Sequence, residues 1–339
     1  MTNTDSLIAT AKAMVAPGKG ILAVDESTKT CTKRFAELGI ESTDTSRRDY
    51  REMMFRAPGI GERISGAILY DETIRQNAAD GSRIVDVLKD AGVLPGIKVD
   101  TGAKPLAGAP GETITEGLDG LRDRLAEYRE IGARFTKWRA VLKVSDEMPS
   151  RYCIETNAHA LARYAALVQE AGLVPIVEPE VLMDGDHDIE RCRAITNQML
   201  QTTFEQLVAQ RVLLEGIVLK PNMVIAGSES SQQATSDEIA EMTLATLREF
   251  VPAEVPGIAF LSGGQTGEEA CTNLDAMVRK GDLPWELTYS FGRALQYPAL
   301  EIWGGSNVAD AQVALLHRAR MSSLARSGRY SAAEERAAV

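Results

Sequence analysis

The chain has 339 residues, 44% of them hydrophobic and 25% charged, proportions that suit a folded core and exclude disordered, collagen-like and disulfide-scaffold classes. Its 37 Lys and Arg against 48 Asp and Glu give a net charge of −11, which repels nucleic-acid backbones and anionic membranes and leaves an anionic ligand dependent on a local basic site. Cys31, Cys153, Cys192 and Cys271 form no Cys-x-x-Cys pair, no N-terminal stretch reads as a secretory signal, and no apolar run approaches a membrane span; the expectation is a soluble, cytoplasmic protein with free thiols.

In chain order, SLIATAKAMVAPGKG predicts an extra N-terminal helix that ends near Pro17 and Gly18. Eight short apolar runs follow, with helix-like charged stretches between them: GILAVDE from Gly20, ISGAILY from Ile64, GIKVD from Gly96, RFTKWRAVLKV from Arg134, LVPIVEPEV from Leu173, EGIVLKPNM from Glu215, GIAFLSGG from Gly257 and WELTYSFG from Trp285. Parallel strands need a crossover helix between them, so this alternation predicts one (β/α)8 barrel domain over residues 1–339, with no linker dividing it. A typical crossover helix starts at the Thr235 to Glu238 capping box and repeats Ile239, Met242, Thr243, Thr246, Leu247 and Phe250 at helical spacing. After about Ala309 another amphipathic stretch leads into a polar, Ala-rich tail, expected to be mobile beyond about residue 330.

Charged and polar residues gather at the strand ends with a spacing of two, which puts each pair on one strand face: Asp25 and Ser27, Lys98 and Asp100, Lys137 and Arg139, Glu178 and Glu180, Lys220 and Asn222. The C-terminal rim of such a barrel is where catalytic groups from several strands meet. A lone strand-end lysine is most simply a snorkelling side chain. Charges converging from five strands are another matter, because a purely structural core would avoid their desolvation cost. An unprotonated lysine attacks a ketone to form an iminium, an electron sink for a carbanion on the next carbon; burial and a neighbouring cation, which Lys137 could supply, both favour the unprotonated amine. Asp184 to Asp188, DGDHD, lacks the glycine and glutamate offsets of a calcium loop, and His159, His187 and His317 are isolated, so no metal site is expected.

Together, ILAVDEST, GIKVD, KWRAVLK, IVEPE, DGDHD, LEGIVLKPNM, FLSGGQ and SFGRALQ resemble, in order and spacing from the N-terminal helix to about Tyr330, the class I fructose-bisphosphate aldolases. The resemblance implies a metal- and cofactor-free lyase that reversibly cleaves fructose 1,6-bisphosphate to dihydroxyacetone phosphate and glyceraldehyde 3-phosphate, assembled as a homotetramer. It implies Lys220 as Schiff-base former, Glu178 as general acid/base with Glu180 beside it, Lys137 as auxiliary lysine and Asp25 as the group that takes the C4 hydroxyl proton. Ser262, Gly263 and Gly264 after the seventh strand and Ser290, Gly292 and Arg293 after the eighth are expected at one phosphate, with Ser27, Thr30, Lys98 and Arg139 at the other. Two alternatives remain open here: a Schiff-base barrel lyase for another phosphorylated sugar, and a non-catalytic barrel scaffold. The sequence departs from the family at its end: many members finish on a tyrosine, whereas this chain ends SGRYSAAEERAAV.

Overall fold

The computed structural model describes residues 2–336. Its strands are β1 (Gly20–Ala23), β2 (Ile64–Leu69), β3 (Leu94–Lys98), β4 (Gly102–Pro105), β5 (Thr113–Glu116), β6 (Phe135–Leu142), β7 (Val174–Val181), β8 (Val218–Leu219), β9 (Gly257–Phe260) and β10 (Glu286–Phe291). All but β4 and β5 pair in parallel, in the order β1-β10-β9-β8-β7-β6-β3-β2, and close into a barrel. Each barrel strand overlaps one of the eight apolar runs; seven lie inside theirs, and β3 begins two residues ahead of its run, at Leu94. The antiparallel β4–β5 hairpin was not expected, because only one of its residues is buried and it carries no apolar alternation.

Strand parity explains how the barrel presents a site. Ile21 and Ala23 of β1, Phe135 of β6, Val174 and Ile176 of β7 and Val218 of β8 point inward and share one apolar cluster. Their alternates Leu22, Trp138, Val177 and Leu219 face the surrounding helices in a second, larger cluster. A spacing of two continues the inward face upward to Asp25, to Lys137 and Arg139, to Glu178 and Glu180, and to Lys220. The interior is therefore apolar at the N-terminal end and ionic at the C-terminal end.

The N-terminal helix, Asn3–Met14, closes the apolar end. Thr2 and Asp5 form its capping box, and Leu7, Ala11 and Met14 are buried at helical spacing against the inward cluster. The capping box at Thr235 forms as expected, opening the helix Ser236–Phe250. Among the described residues no helix is long and apolar enough to cross a membrane. The segment expected to be a mobile tail is, as far as Arg336, a short helix, Ala332–Arg336, tied to the helix Val308–Ala325. Glu335 pairs with Arg318, Glu334 pairs with Arg320, and the buried Tyr330 hydroxyl donates to Glu335 Oε2 at 2.8 Å. Reading this tail by composition alone missed those charge pairs; residues 337–339 lie outside the described residues.

Two inward glycines make room for one ring. A Cβ on Gly66 would lie 2.8 Å from the Phe135 ring, and one on Gly96 would overlap it further. Gly96→Ala is therefore expected to destabilise the fold by about 1–3 kcal/mol through overpacking, read as a lower urea midpoint. Phe135→Leu in the same chain should recover part of the loss; no recovery would mean that the ring is not the obstacle.

Candidate active site

The ionic end of the barrel opens into a cavity of about 590 Å³, lined by every candidate site residue of the sequence analysis. At its floor Glu178 bridges two lysines: Oε1 lies 3.2 Å from Lys220 Nζ and Oε2 lies 3.4 Å from Lys137 Nζ. Lys137 Nζ also meets Asp25 Oδ2 at 2.7 Å and Asp100 Oδ2 at 3.9 Å. Lys98 reaches Asp100 Oδ1 at 3.4 Å, and Arg139 pairs with Glu180. Lys137, Glu178, Glu180 and Lys220 are all buried.

Charge balance decides the protonation of this cluster. Burial alone would push the Lys137 ammonium toward its neutral form, but Asp25, Glu178 and Asp100 outweigh it and raise its pKa. Burial likewise opposes the ionised forms of Asp25 and Glu178. For Asp25 the effect is overcome by Lys137, Lys220 and Lys98, and for Glu178 by Lys137, Lys220 and Arg139, so both carboxyls sit below the usual range. Lys137 is a fixed cation and Glu178 a fixed anion at neutral pH, with Lys220 on the other side of the glutamate.

Two groups of anion donors line the mouth. On one side Gly263 and Gly264 have φ of 50° and 81°, a turn that only glycine makes without strain. Among the described residues their N–H groups donate to no protein acceptor, and the buried Ser290 hydroxyl has no partner. Gly292 caps the helix Arg293–Trp303, whose N-terminus adds a favourable dipole. On the other side Ser27 caps the helix Thr28–Glu37, its hydroxyl 3.1 Å from that of Thr30, beside Lys98 and Arg139.

With this geometry in place, the comparisons with known proteins are specific. The family model described as fructose-bisphosphate aldolase class I matches residues 6–339. The chain belongs to that family. It is 54% identical over 329 residues to the probable fructose-bisphosphate aldolase class 1 of Xanthomonas campestris pv. campestris, covering 96% of this chain and 98% of that one. It is also 54% identical to the cytosolic fructose-bisphosphate aldolase 6 of Arabidopsis thaliana, covering 96% and 92%. A solved structure of fructose-bisphosphate aldolase from Plasmodium falciparum, in complex with TRAP and a small-molecule inhibitor, matches with a TM-score of 0.96 at 46% identity over 97% and 96% of the two chains. The class I family consists of lyases that work without a metal ion.

Four residues of the site differ from the expectations. Asn222 does not share the inward face with Lys220: β8 ends at Leu219, and Asn222 turns outward, accepting from Val181 N–H at 3.0 Å and donating to Thr196 at 3.2 Å. Asp100 was noted at its strand end but given no role, although it contacts two of the cations. Arg34 also lines the cavity, held by Glu26 at 2.6 Å; it follows Thr30 by one helical turn, a spacing that could have revealed it. Thr115, from the unexpected hairpin, donates to the Arg139 carbonyl at 2.7 Å and had no sequence signal. The DGDHD segment lies beside the mouth: Asp184 lines it, while Asp188 caps the helix Ile189–Ala209.

Lys137→Met leaves Asp25 and Glu178 buried with one cation fewer, and is expected to cost on the order of 3 kcal/mol at pH 7. The sign follows from the depressed carboxyl pKa values: their stabilisation is complete above the unfolded values of about 4 and fades as pH falls through the folded ones. The gap between wild type and variant in urea unfolding should therefore be widest near neutrality and narrow below about pH 4; a gap independent of pH would show that the ion pairs are not its source.

Proposed function

We propose that this chain cleaves fructose 1,6-bisphosphate reversibly through an iminium on Lys220. The observation that carries the reading is the buried Glu178 carboxylate held between Lys220 and the fixed Lys137 cation at the floor of a cavity of about 590 Å³. Nucleophilic attack needs the neutral amine, and Glu178 Oε1 at 3.2 Å is placed to accept the Lys220 proton. Lys220 adds to the C2 ketone of the open-chain sugar. The carbinolamine then loses water as Glu178 protonates the departing hydroxyl, with the Lys137 charge beside it and Glu180 holding Arg139 in place.

In the iminium, the electrons of the C3–C4 bond flow into the C=N bond as the C4 hydroxyl gives its proton to Asp25, 2.7 Å from Lys137. Glyceraldehyde 3-phosphate leaves and an enamine remains. Protonation of the enamine at C3 and hydrolysis of the iminium release dihydroxyacetone phosphate and regenerate Lys220. No metal takes part, because the iminium is the electron sink.

The two phosphates fit the two donor groups at the mouth. Ser262, Gly263, Gly264, Ser290, Gly292 and Arg293 would hold one; Ser27, Thr30, Lys98 and Arg139 would hold the other. Arginine at the rim suits the task, since its guanidinium can meet two phosphate oxygens at once. A homotetrameric assembly and a cytoplasmic location belong to the same proposal, supported by the family resemblance and by the relatives named as cytosolic.

Borohydride reduction in the presence of dihydroxyacetone phosphate, followed by peptide mass analysis, tests the nucleophile. The adduct is expected on Lys220; an adduct on Lys98 or Lys137 with Lys220 unmodified would overturn the assignment. Glu178→Gln should lower kcat by about 10² to 10⁴, the range for a lost acid/base group, while the variant still binds the bisphosphate. A kcat within a few-fold of wild type would remove Glu178 from the proton path.

A further inference from the structure

Asp100 lies among the cations of the site, and no step above uses it. It follows β3, and its side chain is 3% exposed. Oδ1 accepts from the Gly102 N–H at 3.2 Å and lies 3.4 Å from Lys98 Nζ. Oδ2 accepts from the Arg139 backbone N–H at 3.4 Å and lies 3.9 Å from Lys137 Nζ. One carboxylate thus faces a lysine on the phosphate side of the cavity and a lysine beside the nucleophile.

We propose that Asp100 is a positioning residue that competes with the substrate's phosphate for Lys98 and so links phosphate capture to the placement of Lys137. The proposal rests on the reading of the site given under Proposed function. Two backbone N–H groups pin the carboxylate, so it cannot follow Lys98 when that side chain turns toward a phosphate. Part of the phosphate's binding energy is then spent in separating Lys98 from Asp100. The same event leaves the Asp100 charge to Lys137, which it otherwise shares at 3.9 Å against the 2.7 Å contact from Asp25. Binding energy gathered away from the reacting carbons is thereby used to order the groups that react.

The opposite signs of its effects on binding and on turnover distinguish this role from a structural one. Asp100→Asn keeps the shape and an acceptor for one of the two backbone N–H groups but frees Lys98. It should tighten binding of hexitol 1,6-bisphosphate, which has no ketone to react, by several-fold in calorimetry, while lowering kcat for fructose 1,6-bisphosphate about tenfold. Adding Lys98→Met should abolish the gain in binding and leave the loss in kcat. A gain that persists without Lys98 would reflect only the removed negative charge, and weaker binding together with a lower melting temperature would mean a structural role; either overturns the proposal. If the asparagine variant does not fold, Asp100→Ser gives the same comparison. Borohydride trapping on the wild-type protein runs alongside: failure to label Lys220 overturns the reading of the whole site, whereas intact labelling with binding unchanged in Asp100→Asn overturns the role of Asp100 alone.

Discussion

One carboxylate between two lysine side chains is the constraint on which this site depends. Glu178 is buried, as are Lys137 and Lys220, and each charge alone in that interior would lose its hydration without return. Glu178 and Lys137 keep their charges together, because each meets groups of opposite charge in the cavity floor. Remove one member and the remainder is a buried, uncompensated charge, the case in which ion pairs matter most. Lys98, Asp100, Asp25, Arg139 and Glu180 extend the same balance outward to the mouth, where it becomes the local basic surface that an acidic chain needs for a phosphorylated sugar.

Strand parity delivers these groups. The inward positions of β1, β6, β7 and β8 are apolar low in the barrel and ionic two or four residues later, so a single periodicity serves both packing and chemistry. The outward positions change little along each strand, because they always meet helices. Helix Asn3–Met14 seals the apolar end, and the small residues Gly66 and Gly96 admit the Phe135 ring there. A rigid, closed lower barrel is what holds side chains from separate strands within hydrogen-bond reach at the other end.

The same periodicity accounts for what the sequence revealed and what it hid. Eight barrel strands could be read because each is a short apolar run bounded by charge, and Asp25, Lys137, Glu178 and Lys220 could be read because they stand out of such runs. Asn222 misled because β8 stops at Leu219 and alternation carries no information beyond a strand's end. The β4–β5 hairpin was invisible because its exposed face has no apolar pattern, and Thr115 was hidden with it. Asp100 could be placed but not interpreted: its importance comes from Lys98, Lys137 and the Arg139 backbone converging on it, contacts between separate strands that no local spacing encodes. Arg34 belongs between these cases, since helical spacing from Thr30 points it at the mouth.

Residues 330–336 serve packing and charge pairing. Tyr330 is buried against the segment that follows it, its hydroxyl donating to Glu335. Burial, reinforced by that glutamate, raises its pKa, so the phenol is a poor proton donor at neutral pH. It does not line the cavity. Glu335 is in turn held by Arg318, which packs against Gly267 at the start of the helix Gly267–Arg279, directly after the Ser262 to Gly264 turn. Residues 330–336 thus brace the outside of the helix that follows the proposed phosphate-binding turn, and the Tyr330 phenol is held outside the barrel. In the proposed cycle, Tyr330 is therefore not the source of the enamine proton. Glu178, held as an anion by the cations around it, must itself take up a proton before giving one, so the proton enters from water.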